Sequence, residues 1–280
     1  MPSSPPAELA DWKAAQGAVW GAGSWEQVAQ TVLAPIHDEL VAGLGPRADE
    51  AWLDIATGTG AVALRAARAG AEVTGLDLAP ALLATAQRRA LEAGLTVRFD
   101  VGDAERLPYP DASFDVVSSA HGVVFAGDHA AVARELGRVC RPGGRLGLSY
   151  WLPKPELAAL MERTGYSRPA GADRPRDWAD PGYVRELLGD AFELSFAEGV
   201  CHWRAESGEA SWRLFSGGDG PAKTGLGSLT ATEREALRQD WVAYFERHRR
   251  GNGVSVPRPY LIIRGRAPDA TAPVGRRVSG

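Results

Sequence analysis

From Glu50 onward, apolar residues come in short blocks, each followed by a stretch of helix-forming residues. Ala51-Trp-Leu-Asp-Ile-Ala56 runs into Gly58-Thr-Gly60 and reads as a buried strand closing in a tight turn. Ala61 to Ala69 then predicts a helix, with Gly70 placed as its stop. Glu72 to Asp77 reads as a second strand, and Pro80 suits the first turn of a helix that runs to Ala93 and ends at Gly94. Val97 to Val101 is a third strand, and Phe114 to Ser119 a fourth, after the turn-rich Pro108-Tyr-Pro-Asp111. A helix from His129 to Val139 stops at Arg141-Pro-Gly-Gly144, and Arg145 to Trp151 forms a fifth strand. Alternation of this kind implies right-handed βαβ crossovers and a mainly parallel sheet.

After Trp151 the rhythm breaks. Pro153, Pro155, Pro169, Pro175 and Pro181 interrupt the chain, and only Tyr183 to Leu188 reads as plainly helical. Phe192 to Ala205, broken at Gly199, and Val254 to Arg266 supply two further strands. Between them, Thr230 to Arg249 predicts a helix opened by a capping box at Thr230 and Glu233. Leu237, Trp241, Tyr244, Phe245 and His248 recur at steps of three and four, and this stripe is read as core. The fold class is therefore α/β: a doubly wound, Rossmann-like sheet of about seven mostly parallel strands with helices on both faces. The organisation expected is an N-terminal helical lid (1–49), a core (50–151), an acceptor cap (152–189), the last strands with an inserted helical segment (190–266) and a flexible tail (267–280). The stretch from Pro2 to Ala7 also reads as loose.

An apolar share of 45% and a charged share of 24% over 280 residues exclude wholesale disorder. Thirty-one basic against 35 acidic residues give a net charge of −4, which argues against binding nucleic acid by bulk charge. Two cysteines, Cys140 and Cys201, make neither a disulfide framework nor a zinc cluster and fit a reducing cytoplasm. No apolar run approaches the roughly 20 residues of a membrane span, and the N-terminus lacks the features of a signal peptide. A cytoplasmic chain with no membrane partner is expected, and the sequence is silent on oligomeric state.

Gly58-x-Gly60-x-x-Ala63 is a weak signal alone, since nicotinamide dinucleotides, flavins and S-adenosylmethionine (SAM) all bind such a strand, turn and helix N-terminus. Its surroundings narrow the choice. Asp54 lies inside the first strand, where a carboxylate repels a pyrophosphate but can organise the turn and reach a cationic amine through water. Asp77 ends the second strand, where a carboxylate can accept from two ribose hydroxyls, and Asp103-Ala104 follows the third, where it can read an adenine edge. Each is also a common cap or turn residue. Three of them on successive parallel strands converge on the edge where such sheets bind ligands.

These residues resemble the class I SAM-dependent methyltransferases. The resemblance is carried by Leu53-Asp-Ile-Ala-Thr-Gly-Thr-Gly60, Val73-Thr-Gly-Leu-Asp77, Gly102-Asp-Ala-Glu-Arg-Leu-Pro108, Phe114-Asp-Val-Val117 and Leu136-Gly-Arg-Val-Cys-Arg-Pro-Gly-Gly144. It covers Glu50 to Trp151 and looks most like the small-molecule branch that includes ubiquinone and menaquinone C-methyltransferases and natural-product enzymes. It implies strand order 3-2-1-4-5-7-6 with the last strand antiparallel. It also implies a cofactor site of Trp25, Asp54, Ala56, Gly58, Thr59, Gly60, Asp77, Leu78, Asp103, Ala104 and Ser119. Within it, Gly58 and Gly60 approach the methionine moiety, Asp77 the ribose and Asp103-Ala104 the adenine, and the Ser119 carbonyl meets the methionine amine. Two departures matter. Ala56 stands where the family more often has glycine, and Ser118-Ser-Ala-His121 replaces the Asn/Asp-Pro-Pro-Tyr of DNA-adenine and protein-glutamine enzymes.

The acceptor implied is a small molecule, aromatic or apolar, with O, N or C as nucleophile. Trp20-Gly-Ala-Gly-Ser-Trp25 either closes over the cofactor or packs the N-terminal helices, and Ser207 to Gly227 offers a second mobile piece. His121, read as two residues beyond the fourth strand, is either a general base titrating near neutrality or a packing residue. His37, His129, His202 and His248 have weaker claims, and their spacing makes no metal set. Two other readings remain open: a SAM-binding protein of this fold with a non-methylation reaction, and an NAD-dependent oxidoreductase. The second leaves Asp54 and Asp103 unexplained.

Overall fold

The computed structural model describes residues 7–270, so the loose stretch 2–6 and positions 271–280 of the expected tail lie outside the described residues. Three helices, α1 (Ala7–Gly21), α2 (Trp25–Thr31) and α3 (Ala34–Leu44), precede the sheet. The alternation then follows as β1 (Ala51–Ile55), α4 (Ala61–Arg68), β2 (Glu72–Asp77), α5 (Pro80–Glu92), β3 (Arg98–Val101), β4 (Phe114–Ala120), α6 (His129–Val139) and β5 (Cys140–Trp151). The remainder is α7 (Pro155–Glu162), α8 (Pro181–Leu188), β6 (Glu193–Ala205), α9 (Gly208–Gly218), α10 (Gly220–Leu226), α11 (Ala231–Glu246), β7 (Arg249–Arg250) and β8 (Gly253–Arg266). None of the described helices is long and apolar enough to cross a membrane.

The strands lie in the order β3-β2-β1-β4-β5-β8-β6, with the two-residue β7 beside β8. The pairs from β3 to β5 are parallel, and β8 runs antiparallel to both β5 and β6. This is the expected order, with β8 as its seventh full strand. Side chains alternate across β1: Leu53 and Ile55 join the core on one face, and Trp52 joins the core on the other. Both faces being covered explains the near-continuous apolar strands that made this half of the chain legible.

The later elements differ from the sequence reading in four places. β4 extends to Ala120, so His121 follows it directly. β5 begins at Cys140 rather than Arg145, because Cys140 pairs with Phe114 before the ladder shifts register. β6 runs unbroken through Gly199, which pairs with Tyr260. The stretches read as irregular contain three helices. Pro155 starts α7, and the side chains of Ser207 and Asp219 cap α9 and α10 by accepting backbone N–H groups at 3.1 and 2.8 Å. Two glycines of Gly217-Gly-Asp-Gly220 serve close contact: a Cβ on Gly218 would collide with the Val28 side chain of α2, and one on Gly220 with the Val19 carbonyl of α1. At the other end, Ala267 is buried and its N–H donates to the Gly144 carbonyl at 2.9 Å.

Leu237, Trp241, Tyr244 and Phe245 of the α11 stripe are core, as their spacing predicts, whereas His248 lies past the end of the helix and is half-buried, its Nδ1 2.9 Å from the Tyr244 carbonyl. Trp241 is fully buried, stacked 4.0 Å from Phe215 and 5.2 Å from Phe245, and its indole N–H donates to Ser211 Oγ at 3.1 Å. This cluster, with Trp203 and Trp212, anchors α9 and α11 to the end of the sheet. Trp241→Ala is expected to cost about 3–5 kcal/mol in urea unfolding; a loss under 1 kcal/mol would remove the cluster from the cooperative core.

Candidate active site

The C-terminal ends of β1 to β4 meet at one edge of the sheet, and the turn after β1 is built from left-handed residues. Ala56, Gly58 and Gly60 have φ of 51°, 55° and 77°. A Cβ added at Gly58 would meet nothing within 4 Å, so glycine there leaves the turn's backbone open to a ligand. Ala56 occupies the position where the family pattern favours glycine, and its backbone gives the reason, since an L-residue pays roughly 1–2 kcal/mol in this region. Space for its methyl comes from Gly122, where a Cβ would lie 2.5 Å from that of Ala56.

Two buried carboxylates hold this turn. Asp54 accepts from Thr57 Oγ1 at 2.6 Å and from Ser118 Oγ at 2.8 Å, while Ser118 accepts the Trp52 indole N–H at 2.8 Å. Burial pushes its carboxyl up to about 6, against the lowering effect of those hydroxyls. Asp77 accepts the Gly58 N–H with one oxygen and the Ala79 N–H with the other, both at 2.8 Å. Burial raises its pKa as well. Each Asp77 oxygen keeps a lone pair for a further donor.

A cavity of about 730 Å³ opens beside the turn. Trp25, Ala56, Gly58, Thr59, Asp77, Leu78, Asp103, Ala104 and His121 line it. Asp54, Gly60 and Ser119 do not face it: Asp54 is sealed behind the turn, Gly60 starts α4, and the Ser119 hydroxyl accepts the Val123 N–H at 3.0 Å. Helix α1 forms the cover over the β2–β3 end. A Cβ on Gly17 would lie 2.5 Å from the Leu78 carbonyl oxygen, so the helix rests directly on the loop after β2. From the next face, Lys13 reaches Asp103 at 2.7 Å and also pairs with Glu105. Burial pulls the Lys13 ammonium down, but its hydrogen bonds to these carboxylates leave its pKa raised. The indole of Trp25 donates to the Trp20 carbonyl at 2.9 Å, and Trp20 packs 4.8 Å from Phe125 in the turn after β4. The N-terminal segment thus bridges the cavity mouth and packs the helices at once.

The other half of the cavity lies towards β5 and β8 and is lined by Trp151, Trp203 and Phe215. His121 stands between the halves in a left-handed conformation (φ 54°), its ring 4.4 Å from that of Trp151. Its Nδ1 lies 2.9 Å from Ser149 Oγ, and its buried Nε2 has no hydrogen-bond partner among the described residues. Burial, reinforced by His37 and Arg258, drives its pKa well below 6.5, so the ring is neutral at pH 7 rather than poised there as the sequence suggested. Strain of this kind at both Ala56 and His121 gathers in the cavity wall.

Sequence reasoning missed Lys13 and Arg258 and gave His37 only a weaker claim; all three line the cavity. Burial holds His37 down at about 3. Arg258 had a legible signal: it interrupts the inward alternation Val254, Val256, Tyr260, Ile262 along β8. The donor and acceptor set as a whole suits a ligand rich in hydroxyls and amines. Carboxylates at Asp77 and Asp103 accept, and the open turn at Gly58 admits close approach.

The comparisons with known proteins agree with this geometry. The methyltransferase domain family matches residues 53–148. An uncharacterized protein of Mycobacterium tuberculosis is 39% identical over 209 residues, 73% of this chain and 76% of that protein. Demethylmenaquinone methyltransferase of Thermus thermophilus is 44% identical over 125 residues, 44% of this chain and 57% of that protein. Among solved structures, the YcgJ protein of Bacillus subtilis superposes with a TM-score of 0.59 at 20% identity, covering 83% of this chain and 98% of that one. The carboxylates at the ends of β1 and β2, the left-handed turn between them and these relatives lead to one conclusion: the chain belongs to the class I SAM-dependent methyltransferases and transfers methyl groups from S-adenosylmethionine.

Proposed function

We propose that the acceptor is a small metabolite with an aromatic or apolar body, methylated in cytoplasmic biosynthetic metabolism. The observation that carries this reading is the continuity of one cavity from Asp77 and Asp103 to the rings of Trp151, Trp203 and Phe215. Rings of this kind favour a flat apolar body through stacking and area burial. A relative named for acting on demethylmenaquinone supports a ring-bearing acceptor.

On this reading Asp77 accepts the ribose hydroxyls, Asp103 with Ala104 receives the adenine, and Ala56, Gly58, Thr59 and Leu78 contact the cofactor along the turn. Asp54 and Gly60 act one layer back, holding that turn, while Ser119, also outside the cavity wall, steadies the loop after β4 by accepting the Val123 N–H. Trp25 covers the mouth. Bound S-adenosylmethionine supplies an electrophilic methyl on a sulfonium. The protein's work is to align the acceptor, exclude water and take up a proton where the acceptor releases one. Lys13 must share or release Asp103 when adenine arrives, which ties opening of α1 to cofactor entry.

His121 is the group proposed to take that proton. In the tautomer whose Nδ1–H donates to Ser149 Oγ, the Nε2 lone pair is free to accept it, and the lowered pKa keeps the ring unprotonated at neutral pH. The sign follows directly: because the ring protonates only well below 6.5, turnover should stay flat as pH falls through 6.5 and decline only further down.

Three measurements test this reading. Transfer of labelled methyl from SAM to a panel of small ring-bearing acceptors should exceed that to matched aliphatic acceptors; no transfer to any ring would contradict it. Asp77→Ala should weaken S-adenosylhomocysteine binding by about 1.5–3 kcal/mol by calorimetry, and unchanged affinity would take Asp77 off the ribose. His121→Asn should keep cofactor affinity but cut turnover roughly 10²–10⁴-fold. Near-normal turnover in that variant would leave His121 a packing residue.

A further inference from the structure

Arg258 is 6% exposed, lies in the cavity wall and has no carboxylate partner among the described residues. Its guanidinium lies 4.2 Å from the Trp151 ring centroid and 5.9 Å from that of Trp203. Burial lowers its pKa to about 10, and the neighbours that act to offset its charge, Cys201, Tyr244 and Tyr150, are all neutral at pH 7. An arginine buried without a counter-charge is costly to a fold, and such groups normally pair.

The backbone fixes it there. Pro257 and Pro259 flank it, two residues apart, so both prolines turn the same side of β8 outward. The Pro259 carbonyl accepts the Leu152 N–H at 3.0 Å, so that side faces β5, which ends at Trp151. Pro259 therefore forgoes only the reciprocal bond to the Leu152 carbonyl, one residue past the end of β5, and Pro257 lies further beyond that end. On the other side Arg258 is in register with Cys201 of β6. Its side chain occupies the buried register of Val256 and Tyr260. In the sheet β8 is two strands beyond β4, about 10 Å sideways from the end that carries His121. This is the acceptor half of the cavity, away from Asp77 and Asp103.

Resting on the methyltransferase reading above, we propose that Arg258 is the anchor for a carboxylate carried by the acceptor, so that the substrate is an anionic molecule with an apolar ring. A guanidinium presents paired N–H donors that match a carboxylate, and the tryptophans on which it stacks exclude water from the pair. The same charge bears on His121: Arg258 lowers its pKa in the free protein, and an acceptor carboxylate would relieve that effect. The sulfonium of the cofactor adds a second reason for an anion in this chamber, since two cations would otherwise share it.

The test uses the full-length protein with 1-naphthoate, benzoate and formate, each against its neutral amide, titrated calorimetrically with and without S-adenosylhomocysteine. At least one carboxylate should bind ten times or more tighter than its amide. Arg258→Met should abolish that preference while leaving S-adenosylhomocysteine affinity within about twofold, and Arg258→Lys should retain part of it. Removing an uncompensated buried charge should also raise the melting temperature of Arg258→Met by about 2–8 °C. A preference that survives in Arg258→Met, or no carboxylate outbinding its amide in the wild type, would overturn the proposal, as would a fall in that melting temperature, which marks Arg258 as structural. Loss of S-adenosylhomocysteine binding in the wild type would instead strike the methyltransferase reading and is scored separately in the same titrations.

Discussion

A five-residue turn held open in left-handed backbone is the constraint on which the rest of this molecule depends. Ala56 to Gly60 cannot keep that shape from local preference alone, because alanine at φ 51° is strained. Two buried aspartates supply the missing stability. Asp54 ties the turn to β4 through Ser118, and Asp77 ties it to β2 through the Gly58 N–H. Both carboxyls are raised in pKa by burial, which measures the cost of keeping them there. The fold accepts that cost at the edge of the sheet where the cavity opens.

Everything beyond the turn is arranged to enclose what it holds. The N-terminal helices cover the Asp77 and Asp103 end, with Lys13 reaching across to Asp103. The α9–α11 cluster closes the other end, and Trp203 and Phe215 belong both to that cluster and to the cavity wall. His121 lies between, neutral and lacking a partner at Nε2. The two halves thus differ in chemistry as well as place: the carboxylates of Asp77 and Asp103 line one, and the rings of Trp151, Trp203 and Phe215 with the Arg258 guanidinium line the other.

Much of this was legible in the sequence, and the exceptions have physical causes. The first five strands, the helices between them and the aspartates at their ends could be read because parallel strands covered on both faces are continuously apolar and place polar residues at their termini. The same reading did not separate Asp54, sealed behind the turn, from Asp77, which faces the cavity, since both simply lie on strands. Helices α7, α9 and α10 were missed because they are short and carry Pro or Gly: Pro155 starts α7, and the side chains of Ser207 and Asp219 cap α9 and α10. Lys13, His37 and Arg258 come from α1, α3 and β8 and reach the wall of one cavity only in the folded chain. Arg258 alone left a trace, as a charge in an apolar alternation.

The central claim is that the edge formed by β1, β2 and β3 accepts S-adenosylmethionine and not a dinucleotide. Calorimetric titration of the wild-type protein with S-adenosylhomocysteine and, separately, with NAD tests it most directly. Saturable one-site binding of S-adenosylhomocysteine is expected, with no heat from NAD under the same conditions. Saturable NAD binding without any response to S-adenosylhomocysteine would contradict it.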